Sequence, residues 1–503
     1  MSDKSVIIIG GGIAGLSVGC YSQMNGYRTR IYEMHHNSGG LCTSWQRNGY
    51  NINGGVHIIV GCGKKSNFYR IWEELGAVQG IEFLHFEDFV SFEGTDGRTF
   101  TLHGNIDKLE NHMMNVAPED HNLIADFING VRRCVSFNPP ILKMPELYGP
   151  VEGLSVFFKI APHLRLFRKW FKISMYDFAQ RFKSTLLREL FSELWFPDSP
   201  VFFFMMMLAS LHQKSSGYPM GGSLPFSESI ERRYLALGGQ CYYNSKVSKI
   251  IVKNNKAMGI KLEDGTEQWA DYIISAADGY TTIFKMLDEK YSNKKIRNYY
   301  KKLPIFPALI QISIGMKQSR SLNSSFTGNS TGLNLPLQKP VMIAGEQLNR
   351  LGIRVHDFDS TAVPIGKTLI KILIPSDLNY WKPLYEDRGK YEAEKEQIYN
   401  KVVSILDKRF PGLANLIEMY DVTTPITSIH YTGNWKGSHQ GWMLTPKTGI
   451  LRMKNVLPGL DNFFMAGHWV APGGGVPTAA LSGRNVTQLL CKKDKKPFVT
   501  TVP

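Results

Sequence analysis

The chain runs to 503 residues, of which 43% are hydrophobic and 20% charged. That balance excludes a disordered or coiled-coil protein, and the length allows about three domains' worth of buried core. A formal net charge of +15 suggests an anionic partner: a phosphorylated cofactor, an acidic membrane surface or nucleic acid.

In chain order, the longest charge-free stretch covers residues 5–27, but it carries Gly10, Gly11, Gly12, Gly15, Gly19 and Gly26. Its apolar core, residues 6–9, has the length of a strand, well below the ~18 residues of a membrane span. The β-branched run predicts a buried parallel strand. Gly10-Gly11-Gly12-Ile13-Ala14-Gly15 follows as a GxGxxG, then a predicted helix over 13–24 that Gly26 can end, then a strand over 28–32 closed by Glu33. This is a complete βαβ unit. Gly10 permits the tight turn, Gly12 lets the backbone approach a pyrophosphate, and Gly15 packs helix on strand. The helix N-terminus offers N–H donors to phosphate, and Glu33 can accept from ribose hydroxyls.

Next come Gly39-Gly40-Leu41-Cys42-Thr43-Ser44 and Gly49-Tyr50-Asn51-Ile52-Asn53-Gly54-Gly55-Val56-His57. An acid, a short gap, paired glycines and a hydroxyl residue resemble the flavoprotein superfamily of amine oxidases and phytoene desaturases. Leu41 stands where that family has Arg, and Asn53 where it has an acid. The far end agrees. Phe463-Phe464-Met465-Ala466-Gly467 reads as a strand entering a turn, His468 to Pro477 is glycine-rich, and a helix is predicted from Thr478 to about Leu490. His468 replaces the family's Asp. This block is most similar to the phytoene desaturase, carotenoid isomerase and retinol saturase branch. Between the ends, Tyr218-Pro219-Met220-Gly221-Gly222 precedes a predicted helix over 224–237, a hairpin is predicted from 246 through Asp264-Gly265, and 273–278 reads as a strand returning to the nucleotide sheet.

The resemblance implies an α/β, two-domain flavoprotein: a Rossmann-like FAD-binding domain built from 1–75, 218–285 and 424–490, a mixed-sheet plus helical substrate domain from 76–217 and 286–423, and a tail from 491. It implies FAD contacts from Gly10, Gly12, Ile13, Ala14, Gly15, Glu33, Gly39, Gly40, Leu41, Gly55, Val56, His57, Val247, Gly467, Gly475 and Val476. The Gly467 N–H is expected at the pyrophosphate, and the following helix at the flavin. No second GxGxxG follows a strand, so a separate nicotinamide domain is not expected.

The middle of the chain reads as lipophilic. Arg165, Arg168, Lys169 and Lys172 fall on one face of a predicted helix whose other positions are apolar, which suits an anionic bilayer. The run Val201-Phe202-Phe203-Phe204-Met205-Met206-Met207-Leu208 suits an elongated apolar ligand or a core.

Six cysteines without a CxxC pair, and His35-His36, adjacent and expected to face apart, give no metal site. The scattered thiols suit a cytoplasmic protein, with peripheral contact at the inner face of a membrane. No nucleic-acid motif accompanies the charge. The expected activity is FAD-dependent oxidation of carbon–carbon bonds in a polyene or isoprenoid lipid, first of all desaturation of the phytoene type by hydride transfer to flavin N5. A carotenoid cis–trans isomerase, a retinol-saturase-like enzyme and a flavin amine oxidase share the motifs. A non-enzymatic prenyl-lipid-binding protein shares the architecture but requires a degraded nucleotide site. His57, then His468, are the candidate proton-transfer residues.

Overall fold

The computed structural model describes residues 4–317, 331–449, 451 and 453–503. A five-stranded, wholly parallel sheet has the order Gln240–Tyr242, Arg28–Tyr32, Ser5–Ile9, Tyr272–Ser275, Phe463–Met465. Its central strand is buried on both faces, as its continuous apolar run requires. Val6 and Ile8 pack into a core shared with helices Ile13–Met24, Ser223–Ala236 and Val476–Lys493. Ile7 and Ile9 pack the other way, onto the meander Val247–Lys253, Lys256–Leu262, Glu267–Trp269.

The hairpin turn of that meander lies at Asn254-Asn255, both with positive φ, and Asp264-Gly265 forms its second turn. The single hairpin expected from 246 through Asp264-Gly265 is thus two successive hairpins. An Asn pair supports the left-handed turn that a two-residue hairpin needs.

A seven-stranded sheet has the order Ile417–Thr423, Ala308–Lys317, Lys367–Ser376, Glu346–His356, Gly332–Ile343, Asp88–Glu93, Thr99–His103. One face carries Ile310, Ile312, Ile353, Ile370 and Ile372, buried against helices Leu378–Tyr385 and Arg388–Arg409. The alternate residues point the other way and form the floor of a cavity.

Beside this sheet stands a helical lobe whose core holds Phe127, Trp170, Phe178, Phe191 and Phe204 in ring contact. The expected basic membrane helix is corrected here. The segment is broken into Pro150–Ile160, Leu164–Trp170 and Met175–Ala179. Leu166 and Trp170 belong to the core, and Arg165, Arg168, Lys169 and Lys172 are its solvated edge. The exposed apolar face lies one helix earlier: Val151, Leu154, Phe157 and Phe158 on Pro150–Ile160 are 83%, 57%, 54% and 65% accessible. Among the described residues, no helix is long and apolar enough to cross a membrane.

The last helix runs through Lys493. Beyond it, Lys496 lies over the Tyr27 ring, Val499 N–H donates to Asn25 Oδ1, and Arg233 donates to Thr501. The chain end is therefore packed against the parallel-sheet half.

Candidate functional site

A cavity of about 1980 Å³ lies between the C-terminal edge of the parallel sheet and the inner face of the seven-stranded sheet. Single-ligand pockets hold roughly 300–1,000 Å³, so this space can take two ligands at once.

The first end is lined by Gly10, Gly12, Ile13, Ala14, Glu33, Gly39, Gly40, Leu41, Val247, Gly467, Gly475 and Val476. Gly12 and Gly39 pair as a one-residue parallel bridge, and Gly39 N–H donates to Gly11 O (2.9 Å). Gly15 lies behind this wall. A Cβ there would sit 1.9 Å from Gly10 O, so its glycine lets the helix meet the loop.

Glu33 is buried at the end of its strand. Oε2 accepts from Gly11 N–H (2.6 Å) and Oε1 from His35 N–H (2.9 Å). Burial holds this carboxyl above its ordinary value, against the pull of those donors. Two grips leave acceptor capacity on both oxygens for a ligand's hydroxyls.

Gly467 N–H donates to Ser482 Oγ (2.8 Å). This corrects the expected role: Gly467 supplies room at the wall, and its N–H is already engaged. The N-terminus of Val476–Lys493 opens on the cavity through Gly475, Val476, Pro477 and Thr478, a site that favours negative charge.

His35 and His36 also differ from expectation. Their rings lie 4.0 Å apart and both line the cavity. They stand in an irregular turn, where neighbouring side chains need not alternate.

Gly55, Val56 and His57 line the cavity farther in. A Cβ on Gly55 would come 2.3 Å from Leu41 O, so this stretch is threaded tightly against the paired-glycine loop. His57 Nδ1 is buried with no partner among the described residues. Burial, then Lys371, Arg354, His356 and His439, push its pKa well below the usual range. His468 lines the same space, and burial, with His439, lowers it to about 4. Both imidazoles are neutral near pH 7 and take up a proton poorly.

The far end is apolar. Phe203, Phe204, Met206 and Met207 from helix Val201–His212 line it with Trp195, Phe196, Phe137 and Ile141. Val201, Phe202 and Met205 turn into the lobe's core. The Phe/Met run thus serves both cavity and core.

Sequence reasoning missed the sheet floor. Gln311, Ser313, Lys371, Leu373 and Arg354 share one face by strand register. The available signal was a lone cation inside each of two β-branched apolar runs, at Arg354 and Lys371.

The family model described as flavin containing amine oxidoreductase matches residues 13–491. The chloroplastic prolycopene isomerase of Daucus carota is 25% identical over 502 residues, covering 96% of this chain and 79% of that protein. The neurosporene-forming phytoene desaturase of Rhodobacter capsulatus is 24% identical over 510 residues, covering 96% and 93%. Among solved structures, the cyclohexylamine oxidase of Brevibacterium oxydans aligns with a TM-score of 0.59 and 13% identity over 98% of this chain and 100% of that one, a likeness of fold.

Proposed function

The chain belongs to the flavin containing amine oxidoreductase family, and on that premise we propose that it desaturates a long polyene or isoprenoid chain in a reaction of the phytoene type. It is a two-domain α/β flavoprotein and an FAD-dependent oxidoreductase; similarity to desaturases and isomerases of carotenoids makes it carotenoid-type.

The residues fit FAD. The wall of Gly10, Gly12, Gly39 and Gly40 has room for a pyrophosphate, the pinned Glu33 can accept from a ribose, and Val247, which lines the same cavity, would meet the adenine. Gly55, Val56, His57 and the helix N-terminus at Gly475-Val476 would hold the ring. When bound, FAD supplies hydride acceptance at N5, which no side chain offers. The protein holds the chain against that site and keeps water out through its aromatic and methionine wall. We assign the FAD-binding domain to 1–75, 218–285 and 424–490 and the substrate domain to 76–217 and 286–423.

The observation that carries the reading is the continuity of one cavity from a glycine-lined end to an apolar end. Anaerobic titration of the oxidised, FAD-loaded protein with phytoene in anionic liposomes tests it. Bleaching of the visible flavin band with a more conjugated product is expected. An unbleached flavin beside bound phytoene sinks desaturation.

One observation favours a second reading, cis–trans isomerisation. Desaturation releases a proton, and His57 and His468 are poor acceptors; isomerisation releases none. Activity on a cis-polyene with prereduced flavin, without net oxidation, identifies it.

We also propose peripheral membrane contact through helix Pro150–Ile160. Tyr148 Oη donates to Pro140 O, and Lys143 pairs with Glu152. The ion pair ties the helix, and the Tyr148 bond the turn before it, to the stretch that carries the cavity-lining Pro139 and Ile141. Replacing Leu154, Phe157 and Phe158 by Ser removes about 1.5–3 kcal/mol of apolar transfer at each site. Liposome affinity is expected to fall at least about a hundredfold with FAD content unchanged. Undiminished sedimentation with vesicles would place the contact elsewhere.

A further inference from the structure

We propose that Arg354 and Lys371 form a carboxylate-binding subsite, so that the lipophilic substrate carries an anionic end. The proposal rests on the reading of the cavity as a long-chain site and names the class of chain.

The two cations are brought together by register. Arg354 and Lys371 are direct cross-strand partners between Glu346–His356 and Lys367–Ser376, so their side chains leave the same face of the sheet a few ångström apart. That face is the cavity floor, and both residues line the cavity. Like charges directly opposite one another repel, and burying them costs more. The fold keeps both.

Among the described residues no acid acts on either of them. Among the described residues the Arg354 guanidinium has no hydrogen-bond or ion-pair partner; its neighbour is the ring of Phe89, 5.4 Å away. Lys371 is 1% exposed and donates to Asn53 O. Of the acids lining the cavity, Glu33 is held by Gly11 and His35, Asp278 by Thr281 and Trp435, and Asp421 by Trp45 and Arg47. Glu193 acts on Arg350. Asp421 faces Ser313, the residue across from Lys371, which puts it three strands from Arg354, about 14 Å at the usual spacing. The neighbouring imidazoles add no negative charge. His356 Nε2 and His57 Nδ1 are buried and unpartnered, and Arg354 and Lys371 help keep both rings neutral.

A hydrocarbon in this cavity leaves the guanidinium without a counter-charge and the amine with burial and Arg354 both opposing its proton. A carboxylate takes two charge-assisted hydrogen bonds from the guanidinium fork and a third from Lys371, while its chain runs along Phe203, Phe204, Met206 and Met207. Lys371 also touches the residue just before Gly54-Gly55, so the anionic end lies toward the proposed flavin site.

The test uses the FAD-loaded protein and two probes of one chain, all-trans-retinoate and all-trans-retinol, with affinity read from equilibrium dialysis and tryptophan quenching. The wild type is expected to prefer retinoate at least about tenfold. Arg354→Met and Lys371→Met are expected to bring that ratio toward one with retinol affinity kept, and Arg354→Lys to restore part of it. Acetate at the probe concentration is expected not to compete. Retinol bound as tightly as retinoate overturns the subsite and leaves the lipid cavity standing. Failure of both probes to bind takes down the lipid reading and this inference with it. Competition by acetate makes the pair a small-anion site and overturns the chain-end assignment. Should Arg354→Met fail to fold, an undiminished preference in Lys371→Met and Arg354→Lys overturns the proposal.

Discussion

Gly15→Ala is expected to yield protein that leaves gel filtration without flavin. The added Cβ falls 1.9 Å from Gly10 O and 3.1 Å from Gly10 C. Both contacts are backbone, in the loop that lines the nucleotide end, and neither can swing aside as a side chain can. Relief requires helix Ile13–Met24 to move off the strand or the loop to move into the cavity. The first opens the core around Val6 and Ile8, and the second fills the space for the pyrophosphate. Overpacking of this kind costs about 1–3 kcal/mol, but the larger loss is in FAD retention, read from the ratio of visible to ultraviolet absorbance. Gly26→Ala is the control. Gly26 has φ +72 and open space around it, so it carries the backbone strain of a left-handed position, about 1 kcal/mol, without the collision. Stoichiometric flavin in Gly15→Ala would refute the close approach, and equal losses in both variants would make it a matter of general stability.

The same local sterics explain why this part of the fold was legible in the sequence. The βαβ unit is written in neighbouring residues. The strand Arg28–Tyr32 and helix Ile13–Met24 fall where the glycine motif and the closing Gly26 and Glu33 put them, and the returning strands at 272–275 and 463–465 announce themselves as short apolar runs before a turn. The misreadings have a common physical source, competition among tertiary partners. Residues 164–172 show a basic face and an apolar face, and the sequence does not say whether the apolar face meets lipid or protein. Leu166 and Trp170 met the aromatic core, and the apolar side chains of 151–158 were left outside. Gly467 carries its motif, yet a serine 15 residues on takes its N–H. The floor of the cavity was least legible. Arg354 and Lys371 acquire meaning only when an antiparallel register sets them opposite each other, and register is a property of pairing rather than of either run alone.

Lys371, buried beside a half-buried Arg354, also makes the fold's stability depend on pH in a way one substitution can isolate. Burial, with Arg354 beside it, depresses the Lys371 amine from 10.5 to about 7 in the folded protein. The unfolded chain has no such burial. Below pH 7 both states hold the proton. Between about 7 and 10.5 the unfolded state binds it and the folded state does not, so stability rises with pH across that window. The two values bound the gain at about 5 kcal/mol. The groups facing the amine are Arg354, His57, His356, the Asn53 carbonyl, Gln311 and Ser313. Burial lowers the Arg354 guanidinium to about 10, so it keeps most of its charge up to pH 9.5, and both imidazoles are held low; between pH 7 and 9.5 the slope comes from Lys371. Lys371→Met, close in length and without charge, loses the bond to Asn53 O, which Gln311 Nε2 also contacts at 3.4 Å. The variant is therefore expected to be more stable than the wild type at pH 6.5, by several kcal/mol, and to converge on it by pH 9.5 as the wild type gains. Urea titrations of both proteins at the two pH values measure the difference, and other groups that titrate in this range cancel between them. Parallel behaviour of the two proteins would mean that Lys371 keeps its proton when buried, with a counter-charge already in place. A stabilised variant that has lost its preference for a carboxylate chain is the combination expected of a residue retained for its ligand at the expense of the fold.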